Sequence, residues 1–144
     1  MDTPRENILW QKFYTTVSLC LSVVFAIVGL MFLFMPDTVA LFFNTISRQL
    51  GFPEFQMQGG GLFQVLAVGY MYLVTLLACF MYKHPDNAFF PLLLVHGKST
   101  SSLISFYLFF TYQSVLILLT NGIIDGFIAL GVFILYRKSR GTQK

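Results

Sequence analysis

Apolar residues run through this chain in four blocks, and the polar clusters fall mainly in the breaks between them. A helix needs about 20 mostly apolar residues to cross the hydrocarbon core of a bilayer. The first block runs from Phe13 to Met35 and stops at Pro36-Asp37. The second runs from about Gln58 to Tyr82 and stops at Lys83-His84-Pro85-Asp86. The third covers Ala88 to Tyr112. The fourth covers Ser114 to Tyr136 and leads into Arg137-Lys138-Ser139-Arg140. Beyond the first two blocks the connections are short, so neighbouring spans should run antiparallel. The pattern predicts an all-α chain, residues 1–144 forming one transmembrane domain built as a four-helix bundle. The first block reads as a span rather than a signal peptide. It is too long, no small-residue cleavage site follows it, and Asp2 and Glu6 share its N-terminal flank.

The one sizeable connection, residues 38–50, has a helical period of its own. Val39, Phe42, Phe43, Ile46 and Leu50 fall on one face, while Thr38, Asn44, Thr45, Ser47 and Arg48 cover much of the remainder. Asp37 is placed to cap its start and Gly51 to end it. This predicts a short amphipathic helix in the membrane interface, or one folded back over the mouth of the bundle.

Composition sharpens the picture. The chain is 56% hydrophobic and only 10% charged, against about 25% charged in a soluble domain. It lacks the polar surface to sit in water, and it is too apolar for disorder. The net charge of +3 is spread over ends and loops, not gathered as a nucleic-acid-binding patch. Arg5, Lys12, Lys83, Arg137, Lys138, Arg140 and Lys144 all fall on one side of a four-span layout, and Arg48 alone on the other. The positive-inside rule then places both termini in the cytoplasm, and the short loops suit a bacterial inner (plasma) membrane. Trp10, Tyr14, Tyr82, Phe89 and Tyr136 are expected near the inner interface, and Phe52, Phe55, Tyr107 and Tyr112 toward the outer one. Cys20 and Cys79 lie in apolar runs without metal-type spacing, so no disulfide framework is expected.

Candidate chemistry resides in the polar residues inside the spans. Ionisable groups there are costly, usually face the interior and tend to have a partner. Span three reads His96-Gly97-Lys98-Ser99-Thr100-Ser101-Ser102, span four reads Asn121-Gly122-Ile123-Ile124-Asp125-Gly126, and span two contributes Gln64. With the turn centred near Gln113, Ser101 stands opposite Asp125. Lys98 lies three residues lower, roughly 4 to 5 Å, a gap that its side chain bridges. Lys98 and Asp125 are therefore expected to pair near mid-membrane, with Asn121, Ser101 and Ser102 completing a polar pocket. Three readings stay open: a binding site or proton relay in which the pair exchanges charge, a structural pair that fixes helix register, and a contact with a partner subunit. Gly122 and Gly126 form a GxxxG pair continued by Ala129, and Gly97 and Ser101 form a small-xxx-small pair. Both predict close helix packing within the bundle.

Other signals are weaker. His96 could carry a proton, but no second ligand stands at metal spacing beside it, so no metal site is expected. His84, in a Lys-His-Pro-Asp turn, reads as solvated. Gly97-Lys98-Ser99-Thr100 mimics the end of a phosphate-binding loop, yet Leu92 stands where that motif needs glycine, and the stretch lies inside an apolar span. Gly59-Gly60-Gly61 opens the second span as a flexible start or a tight packing point. No catalytic base or carboxylate pair accompanies the serines, so no enzyme signature is found and no cofactor is specified.

Residues 13–80 resemble the DoxX-like group of small four-span bacterial membrane proteins. The resemblance rests on the turn Leu50-Gly51-Phe52-Pro53 and on the run Gly-Gly-Gly-Leu-Phe-Gln-Val-Leu-Ala-Val-Gly that begins at Gly59. Gln64 stands where that group often carries glutamate. The resemblance implies an inner-membrane protein, in some cases a subunit of a quinone-linked oxidoreductase.

Three functions follow as expectations. The first is a non-enzymatic module that binds a small amphiphile, such as a lipid or quinone, or a partner helix at the Lys98–Asp125 pocket, with Lys98 pairing an acidic group. The second is a small proton-coupled transporter acting as a homo-oligomer. The third is an accessory subunit of a larger membrane redox complex.

Overall fold

The computed structural model describes residues 4–55 and 60–140, and every regular element among them is a helix. In chain order these are α1 (Pro4–Phe34), α2 (Pro36–Leu50), α3 (Gly60–Lys83), α4 (Phe89–Thr111) and α5 (Leu116–Arg140). Among the described residues three helices are long and apolar enough to cross a membrane: Ile8–Phe34, Gly61–Lys83 and Leu116–Arg140. At 23 residues α4 is as long as α3's apolar stretch, but the polar run from His96 to Ser102 occupies its middle. The expected start of the second span at Gln58 and Gly59, like Asp2 and Lys144, lies outside the described residues.

The main departure in α1 is its N-terminus, which begins at Pro4, nine positions before the apolar block. Proline is well suited to the first helical position, and Lys12 and Gln11 remain exposed on the extension. The helix stops at Pro36, whose ring removes an amide donor and crowds the preceding turn. Pro36 then opens α2, so α2 starts two residues earlier than the apolar pattern suggests. Asp37 lies within the first turn and makes no side-chain cap; its charge instead favours the helix dipole. At the far end Gly51 adopts φ 74°, the left-handed conformation, and the Gly51 and Phe52 amides close on the Ser47 carbonyl.

The expected faces of α2 need correction. Val39, Phe43 and Ile46 turn partly inward, but Phe42 and Leu50 are about 60% exposed, and Ser47, expected outside, is the one buried residue of the helix. The helix packs against α1 and α5, with a small residue at the contact where a larger one would hold it away. Asn44 fastens the segment of chain that follows. Its Nδ2 donates to the Phe55 carbonyl at 2.9 Å, and its Oδ1 accepts from the Phe55 amide at 2.8 Å.

Two helix pairs build the body of the molecule, α1 with α3 and α4 with α5, and α3 and α4 join them. Gly29 lets α1 and α3 pack tightly: a Cβ there would lie 3.1 Å from Met71 Cβ. Tyr14, Phe25, Val74, Ala78, Leu94 and Val132 form the core between the pairs. Tyr14 and Tyr136, expected as interface aromatics, are buried in this core, because the N-terminal extension of α1 packs along the end of α5. Cys20 and Cys79 are free thiols.

Candidate functional site

Lys98 on α4 and Asp125 on α5 meet at 2.7 Å, Nζ to Oδ1, with side chains 4% and 3% exposed. The register follows from the short α4–α5 turn, and the close approach follows from small residues on α5. A Cβ on Gly126 would stand 3.0 Å from Ser102 Oγ, and one on Gly122 would stand 3.2 Å from the Phe106 ring. Ser102 Oγ in turn donates to the Gly122 carbonyl at 2.6 Å. The GxxxG pair thus packs against α4 of the same chain.

Aromatic rings cover the rest of the ammonium. Lys98 Nζ lies 4.7 Å from the Phe25 ring centroid on α1 and 5.0 Å from that of Tyr70 on α3. A cation at this distance is attracted by the negative face of each ring, most strongly where water is excluded. Tyr70 is itself held by a 3.3 Å bond from its hydroxyl to the Gly97 carbonyl. All four long helices therefore contribute to one site. Neither Phe25 nor Tyr70 is marked in the sequence, since an aromatic in an apolar span looks like any other core residue.

The carboxylate is less complete. Asp125 Oδ2 is buried and accepts no hydrogen bond from any described residue. An ionised carboxylate offers about four lone-pair sites, and here one oxygen carries a single bond while the other carries none.

Asn121 lies one turn from Asp125. Its Nδ2 donates to Ser105 Oγ at 2.8 Å and Ser101 Oγ at 3.3 Å. Ser105 is a member of this cluster that the polar run 96–102 does not include. Its seven-residue spacing from Lys98, two helical turns, is the signal that identifies it. Ser102 and Ser105 share the Lys98 face of α4, with Ser101 at its flank.

Three expected members lie elsewhere. His96 is two residues from Lys98, which puts it on the opposite side of α4, where it is exposed. Gly97 is not a tight packing point, since a Cβ there would meet no atom within 4 Å; only its carbonyl reaches the site, accepting from Tyr70. Gln64 lies at the Pro36 break, where its Nε2 donates to the Phe32 and Leu33 carbonyls at 3.3 and 3.1 Å. Phe32 is four residues before Pro36, so its carbonyl has lost its normal helical partner. The Gln64 amide supplies the missing donor, a task an ionised glutamate cannot perform.

Near this break is an apolar cleft of about 120 Å³, open to the surface beside the exposed Phe63 and lined by Phe32, Pro36, Val39, Gln64, Ala67 and Ile117 among others. No group of side chains with metal-ligand character occurs among the described residues. The Gly97–Thr100 stretch is uninterrupted helix, not a phosphate-cradling loop.

Fold and site together define an all-helical protein with membrane-spanning character and a buried charge pair at the junction of its long helices. Comparison with protein-family models, curated proteins and solved structures finds no match to the chain.

Proposed function

We propose that the chain is a four-span inner-membrane protein with cytoplasmic termini that binds a small neutral amphiphile at the Lys98–Asp125 site. In this arrangement α1, α3, α4 and α5 are the spans and α2 lies at the outer interface. The observation that carries the reading is the unpartnered Asp125 Oδ2. A buried ion pair offsets its desolvation only when its remaining hydrogen-bonding capacity is met. A pair serving only to fix register gains nothing from an open acceptor in a low-dielectric interior.

The unmet acceptor selects its guest. Oδ2 needs a donor. A cationic head would be repelled by Lys98, and an acidic head would have to displace Asp125 from its 2.7 Å contact. A hydroxyl satisfies both conditions. A quinone brings only acceptors, so its reduced, hydroxyl-bearing form is the one that suits this oxygen.

Native mass spectrometry after gentle extraction tests the proposal. A retained mass matching a hydroxyl-bearing lipid supports it. Protein that is bare in every preparation, at full stability, counts against it.

A second reading, a partner helix from a larger membrane complex, draws on a different surface. His96 and Thr100 are exposed one turn apart on α4, in the middle of an apolar helix, and His96 has no hydrogen bond to any described residue. Polar side chains facing lipid are usually satisfied by another protein. Copurification with larger subunits that is lost in His96→Leu would favour this reading.

A further inference from the structure

The end of the bundle where α1 begins and α5 finishes carries an excess of positive charge. Arg5, Lys12, Lys83, Arg137, Lys138 and Arg140 stand there against Glu6 and Asp86. The apolar stretch of α1 starts at Ile8 and that of α5 runs to Arg140. This level is therefore the membrane interface, where lysine, arginine, tryptophan and tyrosine collect.

An interfacial position alone specifies no site, because an exposed cation is met by whichever lipid passes. Arg137 is of this kind: it is exposed and lies 5.7 Å from the Phe133 ring of its own helix. Arg140 differs. Helical side chains lean toward the N-terminus, and its guanidinium lies back over Tyr136, 5.4 Å from the ring centroid. Its Nε is buried and donates to no described residue. Tyr14 shares the core cluster with Tyr136 and lies within electrostatic reach of Arg140. The Tyr14 hydroxyl is buried too, again without a partner among the described residues. A ring face attracts the Arg140 charge but brings no acceptor oxygen. Lys138 adds a second cation, its Nζ 4.3 Å from the ring of Trp10, one turn before Tyr14 on α1. Among the described residues no carboxylate pairs with either cation.

We propose that this end of the α1–α5 seam seats the phosphate of an anionic phospholipid. Arg140 is the main contact, because a planar guanidinium grips two phosphate oxygens at once. It is half-buried at the rim of the bundle, so a phosphate reaches it from the headgroup layer and needs no passage through the core. Lys138 supplies the second charge and the Tyr14 hydroxyl a neutral donor. Two uncompensated cations select a lipid of net negative charge. A choline head fits poorly, since Lys138 repels its cation and already covers the Trp10 face that a quaternary ammonium would use. In the orientation proposed above this is the cytoplasmic leaflet, whose anionic lipids attract basic clusters. The seat rests on the membrane-spanning reading and not on the guest at Asp125.

Trp10, the chain's one tryptophan, makes the seat observable. The full chain is placed in phosphatidylcholine vesicles, and Trp10 fluorescence is quenched by brominated-acyl phosphatidylglycerol or brominated-acyl phosphatidylcholine at equal mole fraction. The expected preference for phosphatidylglycerol is about tenfold, the factor of a hydrogen bond between charged groups. It persists at about 1 M salt, where surface attraction is screened beyond about 3 Å. Arg140→Gln abolishes it. Arg140→Lys, which keeps the charge but not the fork, loses most of it. Arg137→Gln, with the same change in net charge, leaves it intact.

The failures separate. Equal quenching by the two lipids in the wild type overturns the seat. A preference that vanishes in high salt, or that Arg137→Gln lowers as much as Arg140→Gln does, is diffuse surface attraction and overturns it too. Inorganic phosphate that displaces the phosphatidylglycerol overturns the lipid as the source of the anion. A preference that appears only in Glu6→Gln means that the chain neutralises this end itself, and the seat falls. Trp10 quenched by neither lipid puts this end of the bundle outside the membrane, and overturns the spanning reading together with the seat.

Discussion

Two places in this apolar protein set polar side chains between its helices, and they do so differently. At the Pro36 break a proline removes a backbone donor, and the neutral amide of Gln64 replaces it with two bonds to the freed carbonyls. At the α4–α5 seam a lysine and an aspartate meet in full burial, two aromatic faces cover the ammonium, and one carboxylate oxygen is left open. The break carries no net charge and leaves no donor of Gln64 unused, which is how structural polar groups are normally found. The seam has a larger desolvation cost and an incomplete hydrogen-bond set. A difference of this kind within one molecule separates a device that holds a shape from one that awaits a guest.

The largest test of that contrast is at the seam. Asp125→Ala should lower stability by about 3–5 kcal/mol, because Lys98 is then buried without its counter-ion. Lys98→Met/Asp125→Leu should lose less than the single change, since it buries no charge. Unfolding in bicelles with a double-mutant cycle measures both. Additive losses would show that the two side chains do not act as a pair.

The corresponding test at the break is smaller. Gln64→Glu should cost about 1–3 kcal/mol, since an ionised carboxylate facing two carbonyls supplies no donor and leaves them unsatisfied. Gln64→Glu at low pH, where the protonated acid regains one donor, should recover part of that loss. Equal stability of the wild type and the Gln64→Glu variant at neutral pH would mean the carbonyls find another partner, and the contrast between the two regions would weaken.

Two glycines, one at the seam and one away from it, sharpen the comparison further. Gly126→Ala places a methyl 3.0 Å from Ser102 Oγ and pushes against the bond to the Gly122 carbonyl. It should cost about 1–3 kcal/mol by overpacking. Gly97→Ala meets open space and sits inside a helix, so it should be neutral or stabilise by up to about 1 kcal/mol. The reverse order would place the tight contact on the other side of Lys98.

Particular residues show what the sequence carries and what it does not. The blocks of apolar residues locate the helices because a backbone surrounded by apolar side chains must satisfy its own hydrogen bonds. The facing of Lys98 and Asp125 is legible because short turns fix antiparallel register to within a turn. Rotation about the helix axis is harder to read when nearly every position is apolar. That is why His96 is two residues from Lys98 yet on the opposite side, and why Phe42 and Leu50 look outward from α2. Gln64 needs a different kind of reading. Its partners are backbone carbonyls freed by a proline 28 positions earlier in the sequence, and no side-chain pattern records them. Phe25 and Tyr70 are hidden for a related reason, because a ring that faces a cation and a ring that faces a leucine have the same sequence signature.

The smallest effect belongs to the exposed ion pair at the far end of α2. Arg48 Nε donates to Glu54 Oε1 at 2.7 Å and Nη2 to Oε2 at 3.2 Å, with both side chains largely in solvent. The bond from Arg48 holds the Glu54 carboxyl below the ordinary glutamate range, and the same bond raises Arg48. A carboxyl whose value is lowered by folding binds fewer protons in the folded state than in the unfolded one. Its contribution is therefore complete above the ordinary glutamate titration, near about pH 4, and fades as pH falls through the lower folded value. Glu54→Gln should remove that acid-limb dependence while leaving neutral-pH stability almost unchanged, because solvent and salt screen an exposed pair. Adding salt to the wild type should mimic the substitution. A large loss at neutral pH would instead show that the clasp, together with Asn44 on Phe55, is needed to hold the segment after α2 against that helix.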